Sequence, residues 1–290
     1  MTRLATRTLW TIVAAAVALA LVTGGIVVVL RGGGDRPSAE PPSSSAPSSS
    51  TQARPTAPGG SATTTPAPLA TSEPAPPPFP PALRGQDVTV LPTSNRVLAL
   101  TFDAGANAAG LPSILSTLAE EHVPATFFLT GQWAAMNPAG VAAIRAGGHR
   151  IGNHTVSHPH LPALSDAGVR AQVLGAQQTI QAAGSDPRPL FRFPFGERNT
   201  RTIALVNNLG YVAVRWTVDT LGWEGRAGGM SADEVVHRAM AGLRPGEIVL
   251  MHVGSNPDDG TTFDADALHE LIEQMRHAGY GFATLDALLA

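Results

Sequence analysis

The chain has 290 residues, a formal net charge of −3 and only 14 % charged residues. That balance lacks the basic excess that marks nucleic-acid binders. The absence of cysteine excludes disulfides, thiolate metal sites and a cysteine nucleophile.

Residues 1–8 carry Arg3 and Arg7 and precede 22 uncharged residues, 9–30. A run of that length can cross a bilayer and exceeds the apolar core of a usual cleaved leader. It reads as a signal-anchor transmembrane helix, with the arginines placing residues 1–8 in the cytoplasm. The expected location is the cell membrane, single-pass, with the membrane as one partner and the folded domain outside. Cleavage of the segment would make the protein secreted. Residues 31–86 are rich in Pro, Ser, Thr and Ala. With few large apolar side chains they bury too little surface to offset their ordering entropy, and they read as a disordered linker.

Residues 87–290 read as one folded domain, expected to be a monomer. Residues 96–102 form an apolar strand, and 108–120 a helix with Leu111, Ile114, Leu115 and Leu118 on one face. A strand follows at 125–130. A short helix at 137–146 has Pro138 in its first turn and two glycines after its end. An extended piece, 149–152, leads into His154. Ser165 and Asp166 open a helix that runs to about residue 183. Residues 189–193 are a brief strand, 199–208 a helix and 211–216 a strand. Ser231 to Glu234 is a capping box for a helix reaching about residue 243. Residues 247–251 form a strand, 264–277 the last helix and 280–284 the last strand. Such alternation of apolar strands and helices predicts a parallel sheet flanked by helices, either a barrel or an open sheet. No glycine-rich dinucleotide loop or P-loop is present, so no nucleotide cofactor is expected.

Polar residues stand alone at strand ends: Asp103 after Leu-Thr-Phe, Arg192 after Leu-Phe, Asp219 after Trp-Thr-Val, His252 after Val-Leu-Met. In a β/α barrel the C-terminal strand ends gather into one pocket. His154 and His158 lie four residues apart, and one helical turn would turn both rings to the same face, as a metal site requires. Taken singly, Asp103 also suits a helix cap, His252 a satisfied core histidine and the His pair a surface position. Their shared place at strand ends favours a site.

Five segments, in order, carry a resemblance: Thr-Phe-Asp-Ala-Gly at 101–105, His-Thr-Val-Ser-His-Pro at 154–159, Arg-Phe-Pro-Phe-Gly at 192–196, Asp-Thr-Leu-Gly-Trp at 219–223 and Leu-Met-His at 250–252. Residues 90–290 resemble the NodB-homology domain of the polysaccharide deacetylases, carbohydrate esterase family 4. The resemblance implies a distorted (β/α)7-type barrel and a metal-dependent hydrolase that removes acetyl groups from N-acetylated cell-wall polysaccharide, peptidoglycan amino sugars first. It implies Asp103 as general base, Arg192 as its partner, His252 as general acid with Asp219 nearby, and His154 and His158 as ligands of a divalent ion, zinc first, with cobalt as an alternative. Phe195, Trp223 and Leu250 would wall the acetyl pocket, with the Phe195 N–H aiding the oxyanion.

Two departures stand out. The family's first motif usually carries a second Asp, a metal ligand, where this chain has Ala104, so water or Asn107 would complete the shell. The fourth motif often has an Asp before its Trp, where this chain has Gly222, so the acid that tunes His252 is open. Two further readings remain: an esterase of O-acetylated polymers such as xylan, and a non-catalytic glycan-binding protein with a degenerate metal site.

Overall fold

The structure, a computed structural model, describes residues 78–290. In chain order it runs β1 (Asp87–Val88), β2 (Val97–Ala104), α1 (Leu111–Glu120), β3 (Thr126–Leu129), α2 (Gly131–Met136), α3 (Pro138–Ala146), β4 (Arg150–Asn153), α4 (Asp166–Ala182), β5 (Leu190–Phe191), α5 (Thr200–Asn208), β6 (Val212–Val214), β7 (Val218–Asp219), α6 (Ala232–Ala241), β8 (Ile248–His252), α7 (Phe263–Asp266), α8 (Leu268–His277) and β9 (Gly281–Phe282). The sheet order is β1-β6-β5-β4-β3-β2-β8-β7, with β9 also pairing to β2, and every one of these ladders is parallel. β2 lies mid-sheet between β3 and β8 and is buried at seven of its eight residues, which explains its unbroken apolar sequence.

The barrel expected from sequence is corrected to a curled parallel sheet whose ends meet through isolated hydrogen bonds, such as the antiparallel bridge of Val90 to Glu247, and not through a strand ladder. Its edge strands, β1 and β7, do not pair with each other. The segment between β6 and β7 ties β1 to β8 instead: Arg215 N donates to Val88 O at 2.7 Å, and Thr217 N donates to Ile248 O at 2.8 Å. Edge strands of two residues each are too short for a full ladder, so the chain itself spans the gap.

The expected transmembrane helix finds no support. No helix among the described residues is long and apolar enough to cross a membrane, and residues 9–30 lie outside the described residues. Membrane attachment and the single-pass localisation built on it are therefore set aside. Phe79, within the span read as linker, is buried with Val88, Leu285 and Leu288; residues 31–77 lie outside the described residues.

Local signals explain several helix starts. Ser165 and Ser231 cap α4 and α6 by accepting from the N–H groups of Gly168 and Glu234, and Asn199 with Thr202 forms a reciprocal capping box on α5, satisfying otherwise orphaned donors. Two helices differ from expectation. The helix at 137–146 begins at Pro138 and follows a separate short helix, α2, which Thr130 caps. The last helix is broken at Ala267 into α7 and α8.

Candidate active site

The parallel register sets the site. Asp103 on β2 lies opposite His252 on β8, and Asp219 on β7 lies opposite Leu250. These strand ends open into a cavity of about 570 Å³ lined by Asp103, His154, His158, Phe195, Asp219, Trp223, Leu250 and His252, with Trp216 and Phe193 among the remaining walls.

Arg192 stands behind Asp103, fully buried. Its Nη1 donates to Asp103 Oδ1 at 2.8 Å and its Nη2 to Arg215 O at 2.9 Å, while the guanidinium lies over the Phe128 ring at 4.2 Å. The planar fork is thus fixed, and it fixes one oxygen of the carboxylate. Burial pulls the Asp103 carboxyl upward, but Arg192, His154 and His252 outweigh it and hold its pKa below the ordinary value. Across the cavity the balance reverses. Burial disfavours charge on His252, yet Asp264, Asp103 and Asp219 together raise its pKa above the ordinary value. A carboxylate pushed down and an imidazole pushed up face one cavity, the electrostatic pattern that a general base and a general acid require. Burial pushes Asp219 up, and its Oδ1 accepts from Leu221 N at 3.0 Å.

His154 and His158 are brought together, though not by a helix. The segment is a loop in which Thr155 and His158 take left-handed φ values of 70° and 58°. Thr155 N donates to Asn153 Oδ1 and His158 N to Thr155 Oγ1, at 2.9 and 3.1 Å. These bonds hold a conformation that costs a non-glycine residue on the order of 1–3 kcal/mol, and they leave the two ring centroids 4.7 Å apart. His154 Nδ1 lies 2.9 Å from the carbonyl of Arg192. A carbonyl only accepts, so Nδ1 carries the proton and Nε2 presents a lone pair. That lone pair faces Asp103 Oδ2 at 3.3 Å. Burial lowers the pKa of His154, and burial with the neighbouring His154 takes His158 down to about 4. Two neutral imidazoles side by side, one of them facing a carboxylate, are of the chemical type that ligates a divalent ion, although the three are not disposed as a closed cluster around one.

A third protein ligand is lacking. Among the described residues no cluster of three His, Cys, Asp or Glu side chains is disposed to hold an ion. Ala104 is fully buried in the same apolar cluster as Leu129 and Trp133. Asn107 faces elsewhere: its Oδ1 accepts from Ala109 N and Ser255 N at 3.0 and 2.9 Å, so it braces the loop after β8.

The cavity mouth is aromatic. Phe195, 54 % exposed, lies between His158 and His160 with ring centroids 4.4 and 4.3 Å away, and His160 is paired to Glu197 at 2.8 Å. Trp223 is also exposed and lies 6.2 Å from the His252 ring. Sequence reasoning missed Trp216 and Phe193 as walls, and it missed Asp264, whose carboxylate meets His252 from below the pocket.

A family model described as polysaccharide deacetylase matches residues 91–214. A chitooligosaccharide deacetylase of Sinorhizobium fredii is 36 % identical over 189 residues, covering 62 % of this chain and 86 % of that protein. The chain belongs to the polysaccharide deacetylase family. Family membership brings metal dependence with it. A peptidoglycan-N-acetylglucosamine deacetylase of Bacillus cereus is 34 % identical over 198 residues, covering 68 % of this chain and 70 % of that one. Among solved structures, a family 4 pseudoenzyme from Bacillus anthracis superposes with a TM-score of 0.62 at 29 % identity, covering 68 % of this chain and 67 % of that one.

Proposed function

We propose that this polysaccharide deacetylase hydrolyses acetyl groups from N-acetylated cell-wall polysaccharide of the peptidoglycan type. The observation that carries this reading is the opposed pair across one cavity, Asp103 bonded to the buried Arg192 and His252 set against the Asp264 carboxylate. In the reaction, Asp103 takes a proton from water as its oxygen attacks the acetyl carbonyl. His252 gives its proton to the sugar nitrogen as the carbon–nitrogen bond breaks, releasing acetate and a free amine. An amide nitrogen leaves poorly until protonated, which is why a charged imidazole opposite the base matters. Phe195 and Trp223 offer apolar faces on which a pyranose ring stacks, and Leu250 walls the acetyl methyl. His154 and His158 would hold a divalent ion, zinc first and cobalt second, which when bound polarises the acetyl carbonyl and acidifies water. The peptidoglycan class follows from the Bacillus cereus relative.

The test is acetate release from N-acetylated wall fragments, after chelation and again after metal is restored. Acetate that appears only with metal, and is lost in Asp103→Asn, supports the reading. No acetate from any N-acetylated glycan with metal restored would refute it.

Ala104 and the likeness to a pseudoenzyme favour one second reading, a glycan-binding protein without turnover. It requires glycan affinity unchanged in Asp103→Asn and no acetate from the wild type.

A further inference from the structure

The ring of His252 lacks an obvious holder. Its Nδ1 is buried and makes no well-aligned hydrogen bond among the described residues. Three carboxylates surround it. Asp103 is committed to Arg192, and Asp219 Oδ1 takes the Leu221 N–H. Asp264, in the first turn of α7 and only 3 % exposed, places its Oδ2 3.4 Å from His252 Nδ1. The same Oδ2 accepts the main-chain N–H of His252 at 2.8 Å, and Oδ1 lies 2.6 Å from the Thr220 hydroxyl, which donates to it. The carboxylate is therefore tied to the backbone of the residue whose ring it faces.

Its location has a further meaning. A Cβ added at Gly222 would come within 2.4 Å of Asp264 Oδ1 and 2.7 Å of its Cγ. Gly222 has no left-handed φ that would demand glycine; it is small because the Asp264 carboxylate fills the space a side chain there would enter. Position 222 is the fourth-motif departure, where an acid is missing.

We propose that Asp264 is the positioning residue of the general acid, supplying from α7 the carboxylate that position 222 lacks. It holds Nδ1–H of the imidazolium, so that Nε2–H points into the cavity. When Nε2 gives its proton to the departing amine, the ring is left neutral with Nδ1–H still held by Asp264. This rests on the reading of His252 as general acid, and the experiment separates the two.

In the full-length chain with metal supplied, Asp264→Asn, Asp264→Ala, Gly222→Asp and the double variant Asp264→Ala/Gly222→Asp are compared by acetate release, with thermal melts to establish folding. Asp264→Asn is expected to lower kcat about 10²-fold, with KM nearly unchanged, and to move the alkaline limb of the pH profile towards acid. Gly222→Asp alone is expected to impair activity through its clash with Asp264. The double variant is expected to recover at least about tenfold over Asp264→Ala, because a carboxylate re-enters the same space. Independently of turnover, 15N-histidine spectra are expected to show His252 protonated at Nδ1 in the wild type and shifted to the Nε2–H tautomer in Asp264→Asn. Folded Asp264→Asn with wild-type kcat and pH limb overturns the proposal, as does an unchanged His252 spectrum. A wild type that releases no acetate but shows the tautomer shift refutes the hydrolase reading and leaves the Asp264–His252 coupling standing.

Discussion

Glu247 immediately precedes β8, at the end of that strand opposite His252. It is fully buried, and neither carboxylate oxygen has a hydrogen-bond partner among the described residues. Gly242 makes room for it: a Cβ there would sit 3.0 Å from Oε1. Burial pushes the carboxyl from its ordinary 4.5 up to about 7. The folded state therefore holds a proton that the unfolded chain has released. Below about pH 4.5 the group costs nothing. Between there and pH 7 the fold loses about 1.4 kcal/mol per pH unit, and above pH 7 the loss levels off near 3 kcal/mol. Glu247→Gln keeps the shape and removes the charge. Denaturant unfolding of wild type and variant at pH 5 and pH 8 measures the difference. The stability gained by the variant should be about 2–3 kcal/mol larger at pH 8 than at pH 5. Equal differences at the two pH values would show that Glu247 ionises freely in the fold, and the burial argument would fail.

Removing Asp103 should cost twice over. Asp103→Ala leaves the buried Arg192 unpaired, which should destabilise the fold by roughly 3–5 kcal/mol in guanidinium unfolding, and should lower kcat by about 10²–10⁴. Metal-loaded, dialysed protein should retain one zinc per chain by elemental analysis, and the paired change His154→Ala/His158→Ala should retain none. Trp223→Ala should raise KM about tenfold with little change in kcat, since an exposed ring at the rim contributes ground-state contact.

Asp103, Arg192, Asp219 and His252 were legible because each stands at the C-terminal end of an apolar strand; the parallel register carries Asp103, Asp219 and His252 to one edge, and Arg192 reaches Asp103 there. The His pair was legible as a pair but for a different physical reason. Four-residue spacing suggests a helical turn, whereas a left-handed Thr155 and the Asn153 side chain fold the loop back. Asp264 was not legible. It follows His252 by twelve positions and opens a helix, where an acidic residue suits the backbone dipole and attracts no notice. Only the space over Gly222 reveals it. Barrel closure was also beyond reach, because strands of two or three residues carry too little periodicity to say which edges meet.

The two motif departures have opposite outcomes, and the contrast bears on whether the site is alive. At position 104 the carboxylate is gone and nothing replaces it; the methyl has joined the apolar cluster around Leu129 and Trp133. At position 222 the carboxylate is gone and another occupies its space, bonded to the main chain of His252. A site that only binds glycan gains nothing from rebuilding the support of an acid, since a neutral ring stacks on a sugar as well as a charged one. A site that must protonate an amine needs that support whatever holds the ion. On the proposed reading the chain therefore supports proton delivery, the step a pseudoenzyme has no use for, with more of its own side chains than it gives to holding the metal.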